Sequence, residues 1–145
     1  MTAAKLRKSL MRSVGALNVW VYRLSAGRLM GRFPSGAPVL LLTSKGRKSG
    51  QRRTVPLLYL ADGSDFVVVA SQGGAPQHPA WYLNFEADPN GEVELGHRRI
   101  SVLARRISEE ERDRLWPRLV AIYPPYEQYQ QRTTRRIPVL RLSPR

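Results

Sequence analysis

The sequence predicts an α+β fold: a mainly antiparallel sheet of about six strands, curled into a small barrel, with two or three helices packed outside. Three observations predict it. The chain has 145 residues with 42% hydrophobic content, the size of one domain with enough apolar mass for a core. Short apolar runs recur between Gly, Pro and Asp-Gly punctuation, at 39–43, 52–60, 66–71, 92–95, 99–106 and 136–142. Their order is three strands, a helix, a hairpin, a helix and a last strand, with no repeat or linker between them.

Taken in order, residues 4–26 carry Leu6, Leu10, Val14, Leu17, Val21 and Leu24 at steps of three and four, which predicts a helix stopped at Gly27. Lys5, Lys8 and Arg12 lie off that stripe. Such a helix either packs on the domain or lies on an anionic bilayer with Trp20 and Tyr22 at headgroup depth. The long uninterrupted apolar core of a signal peptide is missing, and no run of 18 apolar residues predicts a spanning helix. Residues 28–38 read as a Gly- and Pro-rich loop. Strands over 39–43 and 52–60 follow, with Pro56 placing the second at a sheet edge or bulge. Asp62-Gly63 is a hairpin signal into Phe66–Ser71, whose near-continuous apolar run predicts burial on both faces; these three strands are expected to form a meander.

Gln72-Gly73-Gly74-Ala75-Pro76 then reads either as a flexible connector or as backbone brought close to something flat or anionic. Pro79 is expected in the first turn of a short helix over 79–87. In it, Trp81 and Tyr82 serve either the core or a ligand, and His78 before it is a loop residue with no catalytic role assigned. A hairpin around Gly96-His97 joins 92–95 to 99–106. Ser108-Glu109-Glu110-Glu111 is a capping box that opens a helix to about Ile122, its acids complementing the helix dipole. If the residues after Pro125 are helical, Tyr126 and Tyr129 share a face, with Tyr123 close by. Three phenols in that spacing form either a core edge or a binding wall.

Charge is distributed unevenly. The first 61 residues hold twelve Lys or Arg and no acid, whereas residues 62–145 hold twelve against eleven, so +12 of the net +13 lies in the first part. That asymmetry predicts an anionic partner: nucleic acid, a membrane surface or a polyanionic small molecule. The absence of cysteine excludes disulfides, thiolate metal sites and a cysteine nucleophile, and two histidines are too few for a multi-histidine metal site, so no metal ligand is assigned. The densest cationic stretch runs from Thr43 to Pro56, where Lys45, Arg47, Lys48, Arg52 and Arg53 surround Gly46 and Gly50. Both glycines are expected to adopt the left-handed backbone of a tight turn joining two strands. Such a turn is either a solvated hairpin tip or a phosphate site on a sheet edge. It matches neither the Walker nor the Rossmann glycine pattern.

Several segments together resemble the deazaflavin-dependent nitroreductase family: Leu42-Thr43-Ser44-Lys45-Gly46-Arg47-Lys48-Ser49-Gly50-Gln51, Pro56-Leu57-Leu58-Tyr59, Val69-Ala70-Ser71 with Gly73-Gly74-Ala75-Pro76, and Pro79-Ala80-Trp81-Tyr82. Tyr123, Tyr126 and Tyr129 have the spacing of its nitroimidazole-reducing branch. The resemblance covers roughly residues 35–130. It implies a split β-barrel over 31–145, preceded by a basic amphipathic helix over 1–30, and an oxidoreductase that uses coenzyme F-420. It further implies that Lys45, Gly46, Arg47, Lys48 and Ser49 hold the cofactor's phosphate and acidic tail. Arg53, Thr54 and Pro56 would line it, Ser71, Gly73, Gly74 and Ala75 would flank its ring, and Trp81 and Tyr82 would support that wall. Tyr123, Tyr126, Tyr129 and Ser71 would face the acceptor, a quinone or nitroaromatic. Many members carry Lys where this chain has Gln72, which removes one cation near the cofactor. An FMN enzyme on the same barrel is the nearest rival, since FMN shares the ring and phosphate but lacks the glutamate tail. A nucleic-acid module is disfavoured because no aromatics interleave with the basic turn. The implied location is the cytoplasm, at the inner face of the cell membrane.

Overall fold

A computed structural model describes Val19, Tyr22, Arg23 and residues 37–145. It contains seven strands: β1 (Val39–Lys45), β2 (Arg52–Leu58), β3 (Leu60–Asp62), β4 (Asp65–Val69), β5 (Asn90–Leu95), β6 (Arg98–Arg106) and β7 (Val139–Pro144). Within residues 37–145 three α-helices accompany them: α1 (Ala80–Ala87), α2 (Glu109–Ile122) and α3 (Pro125–Arg132). All pairings are antiparallel, in the order β2-β1-β5-β6-β7-β4-β3.

The expected meander does not form. The run 52–60 is two strands, because the Tyr59 amide leaves the ladder and donates to the Pro38 carbonyl at 3.1 Å. The two pieces then lie at opposite edges of one sheet. A single residue cannot bridge the width of a flat seven-stranded sheet, since neighbouring strands are about 4.8 Å apart. The sheet must curl until β2 and β3 meet, giving an open-sided barrel. Tyr59 seals that seam, its ring edge-on to Phe66 with centroids 5.6 Å apart. Pro56 sits on the edge strand β2, where its missing donor costs nothing.

Strand alternation divides the apolar residues between two faces. Leu40, Leu42, Phe66, Val68, Val93, Val102, Leu140 and Leu142 fill the concave side with Trp81, Tyr82 and Phe85 of α1. Val67, Val69 and Val139 face outward against Leu115 and Leu119 of α2 and Tyr126 of α3. β4 is buried on both faces, as its apolar run predicts. The last strand starts at Val139 rather than 136, because Arg135, Arg136 and the Ile137 amide bond elsewhere.

Ser108 caps α2 as expected, its Oγ accepting from the Glu111 amide at 3.1 Å. Pro79 is the N-cap of α1, in extended backbone, instead of its first helical residue. Most of the expected N-terminal helix, Trp20 included, lies outside the described residues. Tyr22 does not sit at headgroup depth. It is 1% exposed, packs with Val19 on Leu41, and its hydroxyl donates to the Glu94 carbonyl at 3.3 Å and accepts from the Gly96 amide at 3.1 Å. Arg23 pairs with Glu94 at 2.7 Å. Among the described residues no helix is long and apolar enough to cross a membrane.

Candidate functional site

The basic stretch forms the turn between β1 and β2, with Lys45 opposite Arg52. The Gly46 amide donates to the Gln51 carbonyl at 2.7 Å, and the Gly50 amide donates to the Gly46 carbonyl at 2.8 Å. Gly50 is left-handed, with φ 73°. Gly46 is not; its need for glycine is steric, because a Cβ there would lie 2.8 Å from Ser49 Oγ and 3.1 Å from the Gln51 carbonyl.

The turn is fixed from α1 by Asn84, 4% exposed. Its Oδ1 accepts from the Arg47 amide at 3.1 Å and its Nδ2 donates to Ser44 Oγ at 3.1 Å. The backbone is therefore held while the cations stay out in solvent. Arg52 pairs with Glu92 at 3.3 Å, whereas Lys45, Arg47, Lys48 and Arg53 have no ion-pair partner among the described residues. On β2, alternation puts Arg53 on the side of Val55 and Leu57, which pack toward the concave core. Thr54 and Pro56 lie on the other side, where Thr54 Oγ1 is 2.7 Å from Thr43 Oγ1.

The glycine loop follows β4. Gln72, Gly73 and Gly74 are consecutively left-handed, with φ of 43°, 64° and 80°. They form one tight turn, with the Gly74 amide donating to the Ser71 carbonyl at 2.9 Å and the Ala75 amide to the Gln72 carbonyl at 3.1 Å. Gly74 is in close contact with α3: a Cβ would lie 2.8 Å from the Tyr129 carbonyl oxygen. Gly73 has open space beside it.

Arg135 holds this loop from outside. It donates to the carbonyls of Ala75 (2.8 Å), Ala70 (3.2 Å) and Ser71 (2.8 Å), and lies 3.0 Å from His78 Nδ1. Trp81 and Tyr82 are 8% and 2% exposed and belong to the concave core.

The three tyrosines cluster on the outer face. Their ring centroids are 5.0, 6.1 and 6.4 Å apart, and the Tyr123 and Tyr129 hydroxyls share a 3.1 Å hydrogen bond. That bond, with burial, raises the Tyr123 pKa, and burial raises that of Tyr126 well above the ordinary phenol range. All three phenols belong to, or pack against, the outer core.

Topology brings these parts together. β1, β6 and β4 run in the same direction, so the basic turn after β1 and the glycine loop after β4 lie at one end of the barrel. α1 connects them: it starts at the end of the loop and reaches the turn through Asn84. Tyr129 joins the group through Gly74. A cleft of about 220 Å³ between α1 and strands β6 and β7 is lined by Tyr82, Phe85, Glu86, Ala104, Arg106 and Leu140, and of the expected residues it uses Tyr82 alone.

Asn84 and Arg135 were not expected. Asn84 was detectable as a lone amide within Trp81-Tyr82-Leu83-Asn84-Phe85. Arg135 gives no such signal beside Arg136 in a polar stretch.

The architecture and the residues can be compared with known proteins. The family model of F420H(2)-dependent quinone reductases matches residues 14–144. An F420H(2)-dependent quinone reductase of Mycobacterium tuberculosis is 40% identical over 128 residues, 86% of each chain. A solved F420-H2 dependent reductase, FDR-A, is 41% identical with a TM-score of 0.68, over 73% of this chain and 94% of its own. A second solved chain, described as a domain-swapped dimer, is 33% identical with a TM-score of 0.70, over 97% of this chain and 98% of its own. On the strength of the match over residues 14–144 and of these relatives, the chain belongs to the F420H(2)-dependent quinone reductase family.

Proposed function

We propose that the protein reduces a quinone at the expense of reduced coenzyme F-420. The observation that carries this reading is the group of cations in the β1–β2 turn. Lys45, Arg47, Lys48 and Arg53 form no salt bridge among the described residues, on a backbone that Asn84 holds in place. That donor set suits a ligand with a phosphate and several carboxylates, which favours the deazaflavin over FMN.

When bound, the reduced deazaflavin supplies the hydride, and the quinone requires one proton in addition. Arg47 and Lys48, with Lys45, Gly46 and Ser49, hold the anionic part. Arg53 extends that grip along β2, where Thr54 and Pro56 form the other side of the strand. Ser71, Gly73, Gly74 and Ala75 flank the ring, backed by Trp81 and Tyr82. Tyr123, Tyr126 and Tyr129 serve the acceptor side with Ser71. Phenols are protonated at neutral pH; the bond to Tyr129 and burial raise the Tyr123 pKa further, and burial raises that of Tyr126, so each is a hydrogen-bond donor to developing charge on a quinone oxygen. The acid-free first 61 residues support work at an anionic membrane surface, where quinones reside.

Fluorescence titration with F-420 and with FMN is the first test, followed by turnover of menaquinone analogues. Tight F-420 binding and quinone turnover are expected. Preference for FMN would change the cofactor, and bound F-420 without turnover across several quinones would remove the acceptor. Cosedimentation with anionic but not neutral vesicles tests the membrane surface.

A further inference from the structure

Gln72, Gly73 and Gly74 run left-handed in succession; the glycines do so freely, and the steric cost falls on Gln72. Something outside the segment must hold it, and two elements do. α3 meets it from one side, its backbone against Gly74 and its Arg132 guanidinium donating to the Gly73 carbonyl at 3.4 Å. Arg135 meets the carbonyls on both flanks of the turn, Ala70 and Ser71 before it and Ala75 after it. With those carbonyls bound, and the Gly74 and Ala75 amides closing the turn, the amides of Ser71, Gln72 and Gly73 have no backbone acceptor among the described residues.

The fourth contact of Arg135 is more specific. A guanidinium has no lone pair to offer, so its 3.0 Å approach to His78 Nδ1 is a hydrogen bond only when Nδ1 carries no proton. The proton of the imidazole is then on Nε2. The ring lies against Tyr82 with centroids 4.8 Å apart, and the charges around it are Arg135, Glu86 and Arg106. Burial, then the Arg135 charge, lowers the His78 pKa, so the ring stays neutral at physiological pH.

We infer that Arg135 is a positioning residue for the cofactor loop: its guanidinium sets the left-handed turn at 72–74 and holds His78 as the neutral Nε2–H tautomer. This rests on the reading that residues 71–75 flank the deazaflavin. A lysine cannot replace it, because one ammonium does not match four acceptors arranged around a planar fork.

The test uses Arg135→Gln and Arg135→Lys in the full chain. Fluorescence gives the F-420 dissociation constant, steady-state kinetics gives kcat and KM, and nitrogen-15 NMR of the His78 ring gives its tautomer and pKa. In folded variants, the F-420 dissociation constant and KM are expected to rise about tenfold, with kcat at saturation falling less. His78 is expected to show Nδ1–H character, and its pKa to rise toward the ordinary value of about 6.5. Arg135→Lys, the variant that keeps the charge and thus the fold most readily, is expected to match Arg135→Gln in F-420 affinity and His78 tautomer, with the His78 pKa rising less because the positive charge remains. Folded variants with F-420 affinity within twofold of the parent and an unchanged His78 tautomer would overturn the inference. If the parent chain itself binds no F-420, the cofactor reading fails instead, and the His78 signal alone decides whether Arg135 sets the loop.

Discussion

Two arginine-rich regions of this molecule use charge in opposite ways. Around Arg141, 8% exposed on β7, every charge is answered within the chain: Arg141 reaches Asp62 at 2.8 Å, Asp65 at 3.0 Å and Glu111 at 3.3 Å. Arg118 adds a second bond to Asp62, and Arg105 a second to Glu111. One guanidinium thereby ties the β3–β4 hairpin, β7 and the first turn of α2 together. In the β1–β2 turn, Arg52 alone is paired among the described residues, and its neighbours project into solvent from a backbone clamped by Asn84. Paired charge holds the fold; unpaired charge on a rigid backbone is available to a ligand. Local density of Arg and Lys does not distinguish the two. The position of the carboxylates does.

This contrast can be broken at either end. Arg141→Ala is expected to produce the largest change. It leaves three carboxylates facing one another and should reduce stability by about 2 kcal/mol in urea unfolding, with F-420 affinity unaltered. Arg47→Ala and Lys48→Ala should do the reverse. Each should weaken F-420 about tenfold, near 1.4 kcal/mol, more steeply at low salt, while the unfolding midpoint stays in place.

Acid should separate the regions without mutation. Hydrogen bonds from Arg141 and Arg118 lower the Asp62 pKa, and the bond from Arg105 leads in lowering that of Glu111. A depressed carboxylate pKa contributes stability that is complete above the unfolded value, near 4, and is lost as pH falls through the folded one. The parent should therefore lose stability below pH 4 more steeply than Arg141→Ala, and the two should run parallel between pH 5 and 7. Tyr126→Phe is expected to have the smallest effect, since the Tyr126 hydroxyl donates no hydrogen bond among the described residues. Stability should change by under about 0.5 kcal/mol, and unchanged quinone turnover would remove this phenol from the acceptor side.

What was legible in the sequence was local. The Ser108 cap, the turn at Gly63, the double-sided burial of β4 and the placement of Pro56 on an edge each follow from a few adjacent residues. The break at Tyr59 did not, because it depends on a bond to Pro38 and on β4 pairing with β7 rather than β2. The site divides in the same way. The cationic turn and the glycine pair were visible as composition. Asn84 and Arg135 act across 37 and 57 to 65 positions of chain, and a single arginine's carbonyl partners leave no pattern in sequence.

The place of β7 has a consequence for how such a chain is made. β2, β1, β5 and β6 pair among themselves, and so do β3 and β4, and among the described strands β7 alone pairs with both sets. On a ribosome, the first six strands emerge before the strand that unites them. Until Val139–Pro144 inserts, the nascent molecule is two partial sheets tethered through Tyr59, with the flanks of β6 and β4 open to any passing strand. The glycine loop waits on the same event, because the Ala70 amide finds its acceptor at Pro138 and Arg135 lies just upstream. Insertion of β7 therefore closes the barrel and shapes its glycine loop in one step.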